Sequence, residues 1–372
     1  MKILLLANYL TDSIQSMDKF ASVMATGLTD LGHQVRVIRP QALIGQIKRS
    51  PTGLGKWLGY IDKYILFPSQ LRRELAWADV VHICDHANAV YTTYLKNFPH
   101  VVTCHDLLAI RSALGEIPEN PTSWTGKQLQ WMILKGLNQA QHIVCVSEQT
   151  RNDLIRLSKA KSEQISRIYM GLNYPYQTMD EQAAKTCLTA LGIAQSVPFI
   201  LHVGNNSWYK NRLGVLKIFN YLIQENRHPE LYLVMAGQPF TQEMQQFINI
   251  NHLQEKVIEL INITNEDLCA LYSLATALLF PSLQEGFGWP IIEAQACGCP
   301  VFTSGLPPMN EVGGEAAIYI NPHQPQAAAE IIAKFLPKLS SMKTKSWENA
   351  QRFTQAQMLD LYIQVYQQVI NQ

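Results

Sequence analysis

The feature that most constrains the fold is an alternation of short apolar runs with amphipathic stretches. Met17–Leu31 is one such stretch, and it is followed by Gly32, a residue type that commonly ends helices. This alternation is typical of a parallel sheet with helices on both faces. The strands predicted in the first half of the chain are Lys2–Ala7, Gln34–Ile38, Val80–Ile83, Val101–Cys104 and His142–Val146.

The same alternation starts again after Val197-Pro198, which predicts a second domain of the same kind. The polar stretch 173–185 reads as the linker, so we predict domains over 1–180 and 181–345, with a final helical segment, 346–372, that packs back toward the first domain. Doubly wound domains bind ligands at the carboxyl ends of their strands, so we expect a site in a cleft between the domains. The strands predicted in the second half are Phe199–Val203, Leu231–Ala236, Val257–Leu260, Ala277–Phe280 and Pro300–Thr303.

Composition excludes several classes of protein. Of the 372 residues, 47% are hydrophobic and 16% are charged, which indicates a globular chain, and a net charge of +1 does not favour nucleic acid as a partner. The seven cysteines form no CxxC pair and are expected to be reduced and buried, so no metal site is predicted. No apolar run approaches the ~20 residues of a membrane span. We expect a cytoplasmic protein, soluble or peripheral on the inner face of the membrane.

Two glutamates bracket a glycine-containing loop in the second domain. Glu285 precedes a helix predicted to open at Pro290, and Glu293 lies about one turn inside that helix. Gly286 and Gly288 allow a ligand to approach the backbone closely, and the helix end supplies free N–H groups and a dipole that favour an anion. The pattern predicts a ligand with phosphates in the middle and hydroxyl-rich groups at each end. For either glutamate alone, an ordinary structural acid is the alternative.

This segment resembles the E-x7-E region of the family 4 glycosyltransferases, which are retaining enzymes of the GT-B fold, with two Rossmann-like doubly wound α/β domains facing a central cleft. The resemblance implies that Glu285 faces the donor hexose and that Glu293 binds the ribose hydroxyls of the nucleotide. The downstream run 294–301 also matches the family's pattern. The residues whose backbone the resemblance brings against the sugar and diphosphate are Gly286, Phe287, Gly288, Trp289 and Pro290.

Cations are needed to stabilise the departing diphosphate, and no Asp-x-Asp metal motif is evident, so we expect metal-independent chemistry. The loop that begins at Gly204 and Asn205 resembles the family's loop ending in Arg-Lys-Asn, which places Lys210 on the diphosphate. Asn205 and Tyr209 stand where the family often has arginine. We therefore predict that Arg212 supplies the second cation. The alternative for Lys210 and Arg212 is an exposed helix start.

Two further site residues are predicted in the first domain. His105 follows the strand Val101–Cys104 and resembles the family's histidine that points at the donor sugar, although a satisfied structural histidine is the alternative. The first loop, 8–17, lacks the Gly-Gly pair of many relatives. Ser16 is predicted to cap the following helix and to offer its amides to the donor.

The segment 47–67 mixes basic and aromatic residues. It is a candidate for contact with a membrane surface that holds a lipid-linked acceptor. A core-packing helix with basic edges is the alternative.

The resemblance as a whole implies transfer of a hexose-type sugar from a nucleotide-sugar donor, most naturally a UDP- or GDP-sugar, to an acceptor hydroxyl. Retention would follow from same-face displacement in which the departing phosphate oxygen helps to accept the proton. The products expected are polysaccharides, glycolipids or other glycoconjugates, and no cofactor is expected. Two alternatives stay open: a nucleotide-sugar epimerase on the same scaffold, and a catalytically silent partner subunit that binds the donor only.

Overall fold

The structure is a computed structural model that describes residues 1–10, 15–44, 54–194, 197–224 and 228–372. The chain divides into two compact units, one formed by Met1–Asn173 with Gln355–Gln372 and the other by Tyr174–Thr354. The sequence predicted divisions at 180 and 345, whereas contacts divide the chain at 173 and 354.

The first unit contains a parallel sheet with the strand order β2-β1-β3-β4-β5-β6 among its described residues. Its strands are β1 (Lys2–Leu6), β2 (Gln34–Ile38), β3 (Val80–Ile83), β4 (His100–Cys104), β5 (His142–Cys145) and β6 (Ile165–Arg167). Its α-helices are α1 (Gln15–Asp30), α2 (Leu54–Ile61), α3 (Phe67–Leu75), α4 (Leu108–Ala113), α5 (Trp124–Leu137), α6 (Glu148–Leu157) and, from the end of the chain, α15 (Gln355–Ile370). A π-helix, Asp62–Leu66, joins α2 to α3, and 3-10 helices span His86–Tyr94 and Ser162–Gln164.

A buried polar chain fixes the final helix to this sheet. The Tyr366 hydroxyl lies 2.7 Å from Nδ1 of His82, and Nε2 of His82 lies 2.7 Å from Oγ1 of Thr103. The Tyr362 hydroxyl completes the chain at 2.8 Å from Thr103. All four side chains are fully buried, and burial lowers the pKa of His82 to about 3. The last helix is therefore part of the first unit's core.

The second unit has the strand order β12-β11-β10-β7-β8-β9, and all its described pairings are parallel. Its strands are β7 (Phe199–Gly204), β8 (Tyr232–Gly237), β9 (Val257–Ile261), β10 (Ala277–Phe280), β11 (Val301–Ser304) and β12 (Ala317–Ile320). Its α-helices are α7 (Glu181–Ala190), α8 (Arg212–Ile223), α9 (Gln242–Ile250), α10 (Asn265–Leu274), α11 (Trp289–Ala296), α12 (Met309–Gly313), α13 (Pro325–Phe335) and α14 (Lys343–Ala350). Its 3-10 helices are Trp208–Lys210, Gly314–Ala316 and Leu336–Met342.

The strand order of the second unit indicates where a ligand would bind on its sheet. The strand order reverses between β7 and β10, which are neighbours although two strands separate them in the chain. In open parallel sheets a ligand binds in the crevice at the carboxyl ends of the two strands where the order reverses. In the first unit the corresponding point lies between β1 and β3. Both units thus present a defined binding edge.

A glycine on α5 shows how closely the first unit is packed. A Cβ atom added to Gly136 would lie 2.1 Å from the backbone carbonyl oxygen of Ala89. We expect Gly136→Ala to lower the free energy of unfolding by about 1–3 kcal/mol, because a backbone atom cannot move aside without wider rearrangement. Gly126→Ala on the same helix is the control, since its Cβ would meet the Thr122 side chain. Urea unfolding curves measure both, and equal stability of the two variants would contradict the prediction.

Candidate functional site

The loops after β7 and β10 are joined directly at the point where the strand order of the second unit reverses. The backbone N–H of Leu283 donates to the carbonyl of Tyr209 at 2.7 Å. The side-chain amide of Asn211 donates to the carbonyl of Pro281 at 3.1 Å. Asn211 adopts a left-handed conformation, with φ of 53°, that ends the 3-10 turn and starts α8. The two loops therefore form one continuous edge.

Lys210 and Glu285 form an ion pair across this edge. Nζ of Lys210 lies 2.7 Å from Oε1 of Glu285, and the two side chains are only 14% and 8% exposed. Nζ also lies 5.0 Å from the ring centroid of Phe280, within cation–π range. Two residues predicted from separate motifs thus meet side by side, although 75 positions separate them in the chain.

The segment between the two glutamates folds as a short loop and the first turn of α11. Gly288 precedes the helix with a φ of 103°, a conformation that favours glycine. The helix begins at Trp289, so the prediction that it opens at Pro290 was one residue late. Proline remains in the first turn, where its missing N–H has no intrahelical partner in any case. The Phe287 ring is buried against Phe353, so that residue can offer a ligand mainly its backbone.

Glu293 is held by a neighbour that the sequence did not identify. Its carboxylate is buried, and Oε2 accepts a hydrogen bond of 3.0 Å from the hydroxyl of Tyr272 on α10. Burial and the Glu293 carboxylate raise the pKa of Tyr272 well above its ordinary value, so the phenol stays protonated and keeps donating. Tyr272 thereby fixes the position of the carboxylate in α11.

Arg212, the first residue of α8, points its side chain at other residues of the same unit. It is 4% exposed, and Nη1 donates to the side chain of Asn206 and, at 2.7 Å, to the carbonyl of Gln238. Burial lowers its pKa. Its Nε and Nη2 have no hydrogen-bond partner among the residues that the structure describes. The predicted second cation thus ties the loop after β7 to the loop after β8.

The start of the β7 loop lies over a buried histidine. Gly204 ends β7, and a Cβ added there would lie 3.1 Å from Nε2 of His202. Asn205 turns its side chain onto its own loop, where Oδ1 accepts from the N–H of Ser207 at 3.0 Å. His202 is fully buried and Nδ1 lies 2.9 Å from the carbonyl of Leu279, so Nδ1 carries the proton. Its Nε2 has no hydrogen-bond partner among the described residues.

The first unit brings His105 to its own reversal point, where the polar ends of β1 and β3 meet. The side-chain amide of Asn8 donates to Asp85 at 2.5 Å, and Nε2 of His105 lies 2.8 Å from the carbonyl of Cys84. Burial lowers the pKa of His105, with the nearby Asp85 carboxylate opposing that shift. His105 is therefore a partnered, neutral histidine at this edge. Asp85, a polar residue two positions after the buried strand β3, could have been predicted as a site residue from that position but was not.

Two other predicted features differ from expectation or lie partly outside the described residues. Ser16 is the second residue of α1, so it cannot be the cap that precedes the helix. In the segment 47–67, residues 47–53 lie outside the described part of the chain. Farther along, Phe67 is buried in the first unit's core, Tyr64 packs against that core, and buried Asp62 accepts a 2.9 Å bond from Tyr9. This part favours the core-packing alternative.

Burial of His202 makes a pH dependence predictable. Burial lowers its pKa from 6.5 to about 3, so below pH 6.5 the unfolded chain binds a proton that the folded chain excludes. Stability is therefore lost as the pH falls from about 6.5 toward 3. Between pH 7 and pH 5 we expect a loss of about 2 kcal/mol from this residue. His202→Phe should flatten the dependence by that amount in urea titrations at the two pH values, and an unchanged slope would contradict the assignment.

The Lys210–Glu285 pair can be tested without any substrate. Lys210→Met leaves the Glu285 carboxylate poorly solvated and unpaired, so we expect the free energy of unfolding to fall by about 3 kcal/mol. The double variant with Glu285→Gln should fall by less than the sum of the single changes, with an interaction energy of about 1–2 kcal/mol. Chemical denaturation of all four proteins measures the cycle. Additive losses would show that the two side chains do not stabilise each other.

Comparison with known proteins identifies the family of this chain. The family model for Glycosyltransferase Family 4 matches residues 19–174, and the model for glycosyl transferases group 1 matches residues 188–353. O-antigen chain mannosyltransferase B of Escherichia coli is 26% identical over 321 residues, 79% of this chain and 80% of that protein. D-inositol 3-phosphate glycosyltransferase of Mycolicibacterium gilvum is 27% identical over 286 residues, 73% of this chain and 61% of that protein.

Solved structures share the fold. HepE from Anabaena, in complex with UDP and glucose, matches with a TM-score of 0.72 and 18% identity over 98% of both chains. Sucrose-phosphate synthase from Thermosynechococcus elongatus matches with a TM-score of 0.75 and 19% identity over 100% of this chain and 99% of that one. The two family models follow one another along the sequence, as the two sheets do. The chain belongs to the family 4 glycosyltransferases and has their GT-B fold, with two Rossmann-like domains.

Proposed function

We propose that this glycosyltransferase moves a hexosyl group from a UDP- or GDP-sugar to an acceptor hydroxyl with retention at the anomeric carbon, in the synthesis of a glycoconjugate or polysaccharide. The observation that carries the proposal is the Lys210–Glu285 pair beside the start of α11, at the carboxyl ends of β7 and β10. A relative named for O-antigen mannosyl transfer and a similar fold solved with UDP and glucose support the donor class.

Lys210 is the proposed electrostatic catalyst. Charge builds on the nucleoside diphosphate as the glycosidic bond to it breaks, and an ammonium group aimed at that charge is worth most in a poorly solvated site. The backbone amides at the start of α11 add a fixed positive potential. A donor phosphate would compete with Glu285 for Lys210 and thereby release the Glu285 carboxylate.

The released carboxylate gives Glu285 its proposed role. With Lys210 turned to the diphosphate, Glu285 can accept hydrogen bonds from hydroxyls of the donor hexose and fix the sugar relative to its phosphate. Because the sugar hydroxyls replace Lys210 as partners, the Glu285 carboxylate, which is only 8% exposed, is not left unpaired. Donor binding and sugar orientation are thereby linked in one rearrangement.

Glu293 is proposed to hold the ribose. A carboxylate accepts from the two vicinal hydroxyls of a ribose, and Tyr272 fixes the side chain before a ligand arrives. Arg212 retains two buried nitrogens that could donate to a phosphate, while Gly204 and Asn205 would offer backbone at the β7 end. His105 remains the candidate that shapes the sugar pocket, and we propose that no metal ion takes part in the transfer.

The role of Lys210 predicts a specific kinetic defect. Lys210→Ala should lower kcat by about 100-fold, equivalent to about 3 kcal/mol, because the lost stabilisation develops mainly in the transition state. Lys217→Ala is the matched control, since Lys217 is an exposed lysine on the neighbouring helix α8. Release of nucleoside diphosphate in the presence of acceptor measures both. Near-normal turnover of Lys210→Ala would contradict the assignment.

The donor and the type of reaction can be tested together. A panel of UDP- and GDP-sugars in thermal-shift assays should identify a donor that raises the melting temperature, since ligand binding to the folded state stabilises it. NMR of the product should show the anomeric configuration of the donor, and turnover should persist in EDTA. An altered free sugar without acceptor would indicate an epimerase instead. Donor binding without transfer to any acceptor would indicate a silent subunit.

A further inference from the structure

Two cysteines outside the proposed chemistry lie next to each other in the second unit. Sγ of Cys269 on α10 is 3.8 Å from Sγ of Cys297, which directly follows α11. Their residues are 5% and 2% exposed. From this geometry we propose that Cys269 and Cys297 are a reversible disulfide site that responds to peroxide and controls nucleotide binding.

The pair has an asymmetry that suits oxidation. The Cys297 thiol hydrogen-bonds to the Cys269 sulfur and thereby lowers the pKa of Cys269 to about 6, while the same contact and burial raise the pKa of Cys297. Cys269 is therefore the thiolate that attacks first, and Cys297 is the resolving thiol. Hydrogen peroxide is little larger than water, so it suits thiols with so little exposure.

The chemistry balances with peroxide as the oxidant. The Cys269 thiolate attacks one peroxide oxygen, an S–O bond forms, the O–O bond breaks, and the hydroxide released takes up the proton from Cys269 to become water. The Cys297 sulfur then attacks the sulfenic acid sulfur, the S–S bond forms, and the S–O bond breaks. The second water leaves with the Cys297 proton. Two thiols lose two electrons in total, and a dithiol reductant reverses the change.

The same two helices carry a second contact, which links oxidation to the proposed donor site. Cys269 and Tyr272 are three residues apart on α10, while Glu293 and Cys297 are four apart on α11 and its end, so each pair shares a helix face. The Tyr272–Glu293 hydrogen bond and the Cys269–Cys297 contact are therefore adjacent cross-links between these helices. Closing the sulfur separation from 3.8 to about 2.0 Å replaces a contact between these helices by a covalent bond and so changes the packing beside the Tyr272–Glu293 hydrogen bond.

Oxidation would also alter the segment Tyr174–Asp180, where the second unit begins. In its protonated form the Cys269 thiol donates to the carbonyl of Gln177 at 3.0 Å, and this hydrogen bond is lost once Cys269 ionises and is oxidised. The hydroxyl of Thr178 donates to the carbonyl of Cys297 at 3.1 Å, so that residue is coupled as well. The disulfide thus changes the support of Glu293 and of this entry segment together.

The disulfide itself is tested first, without reference to function. The full chain is reduced, freed of reductant, treated with hydrogen peroxide and digested under conditions that prevent exchange. Mass spectrometry should find the peptides of Cys269 and Cys297 joined and should find them separate after dithiothreitol. Cys187→Ser, which removes a partly exposed cysteine on α7, should leave the cross-link intact, whereas Cys269→Ser and Cys297→Ser should abolish it. The proposal fails if Cys187 oxidises while this pair stays reduced, or if Cys297 pairs instead with Cys299.

Control of binding rests on the proposed function, so it is measured separately with UDP and GDP as probes. The probe that binds the reduced protein should bind the oxidised protein roughly threefold or more weakly, with recovery on reduction. Cys269→Ser should bind like the reduced protein with or without peroxide. Unchanged affinity in a fully cross-linked sample would overturn the control of binding. Failure of both probes to bind the reduced protein would contradict the proposed function, and the disulfide site would then stand or fall on the peptide mapping.

Discussion

The pairing of Lys210 with Glu285 depends on a constraint of the parallel sheet rather than on proximity in the chain. Strands β7 and β10 lie side by side only because the strand order of the second unit reverses there. The backbone bond between Leu283 and Tyr209 then holds the two following loops in one register. A cation and a carboxylate that begin 75 residues apart consequently share one poorly solvated position. Gly288 and the start of α11 follow Glu285 within four residues of the chain, and Tyr272 fixes Glu293 farther along that helix.

Much of this architecture follows from local sequence. Ten runs of apolar residues were predicted as strands, and each corresponds to a strand of the structure whose ends differ from the prediction by at most one residue. The two strands that were not predicted, β6 and β12, are short, and each lies at the end of its sheet. Ile165–Arg167 contains one buried residue, so it shows no sustained periodicity. Strand β6 is therefore defined by the neighbour it pairs with, whereas β12 is apolar and mostly buried and was missed.

The residues of the candidate site also divide into those that the sequence predicted and those that it did not. Glu285, Glu293 and Lys210 were predicted because glycine, proline and strand ends surround them and because their motifs resemble those of the family, and the structure pairs Lys210 with Glu285. Tyr272 could not, since nothing near it distinguishes it from an ordinary helical tyrosine. Arg212 was predicted from its charge and its position two residues after Lys210, and neither says which partner a guanidinium selects. Here the loop after β8 supplies a carbonyl and an aromatic ring, at Gln238 and Phe240, that draw the side chain inward. Residues whose roles depend on a contact across the fold need the fold to be known.

The last helix has a consequence for the order in which the chain folds. Tyr362 and Tyr366 are fully buried against His82 and Thr103, so the first unit lacks part of its interior until α15 has been synthesised. The second unit is continuous in sequence and can assemble as soon as residue 354 is available. A ribosome therefore completes the second unit before it completes the first. During that interval the side of β3 and β4 that carries His82 and Thr103 stays uncovered. Closure of this part of the core in the nascent enzyme therefore waits for Gln355–Gln372.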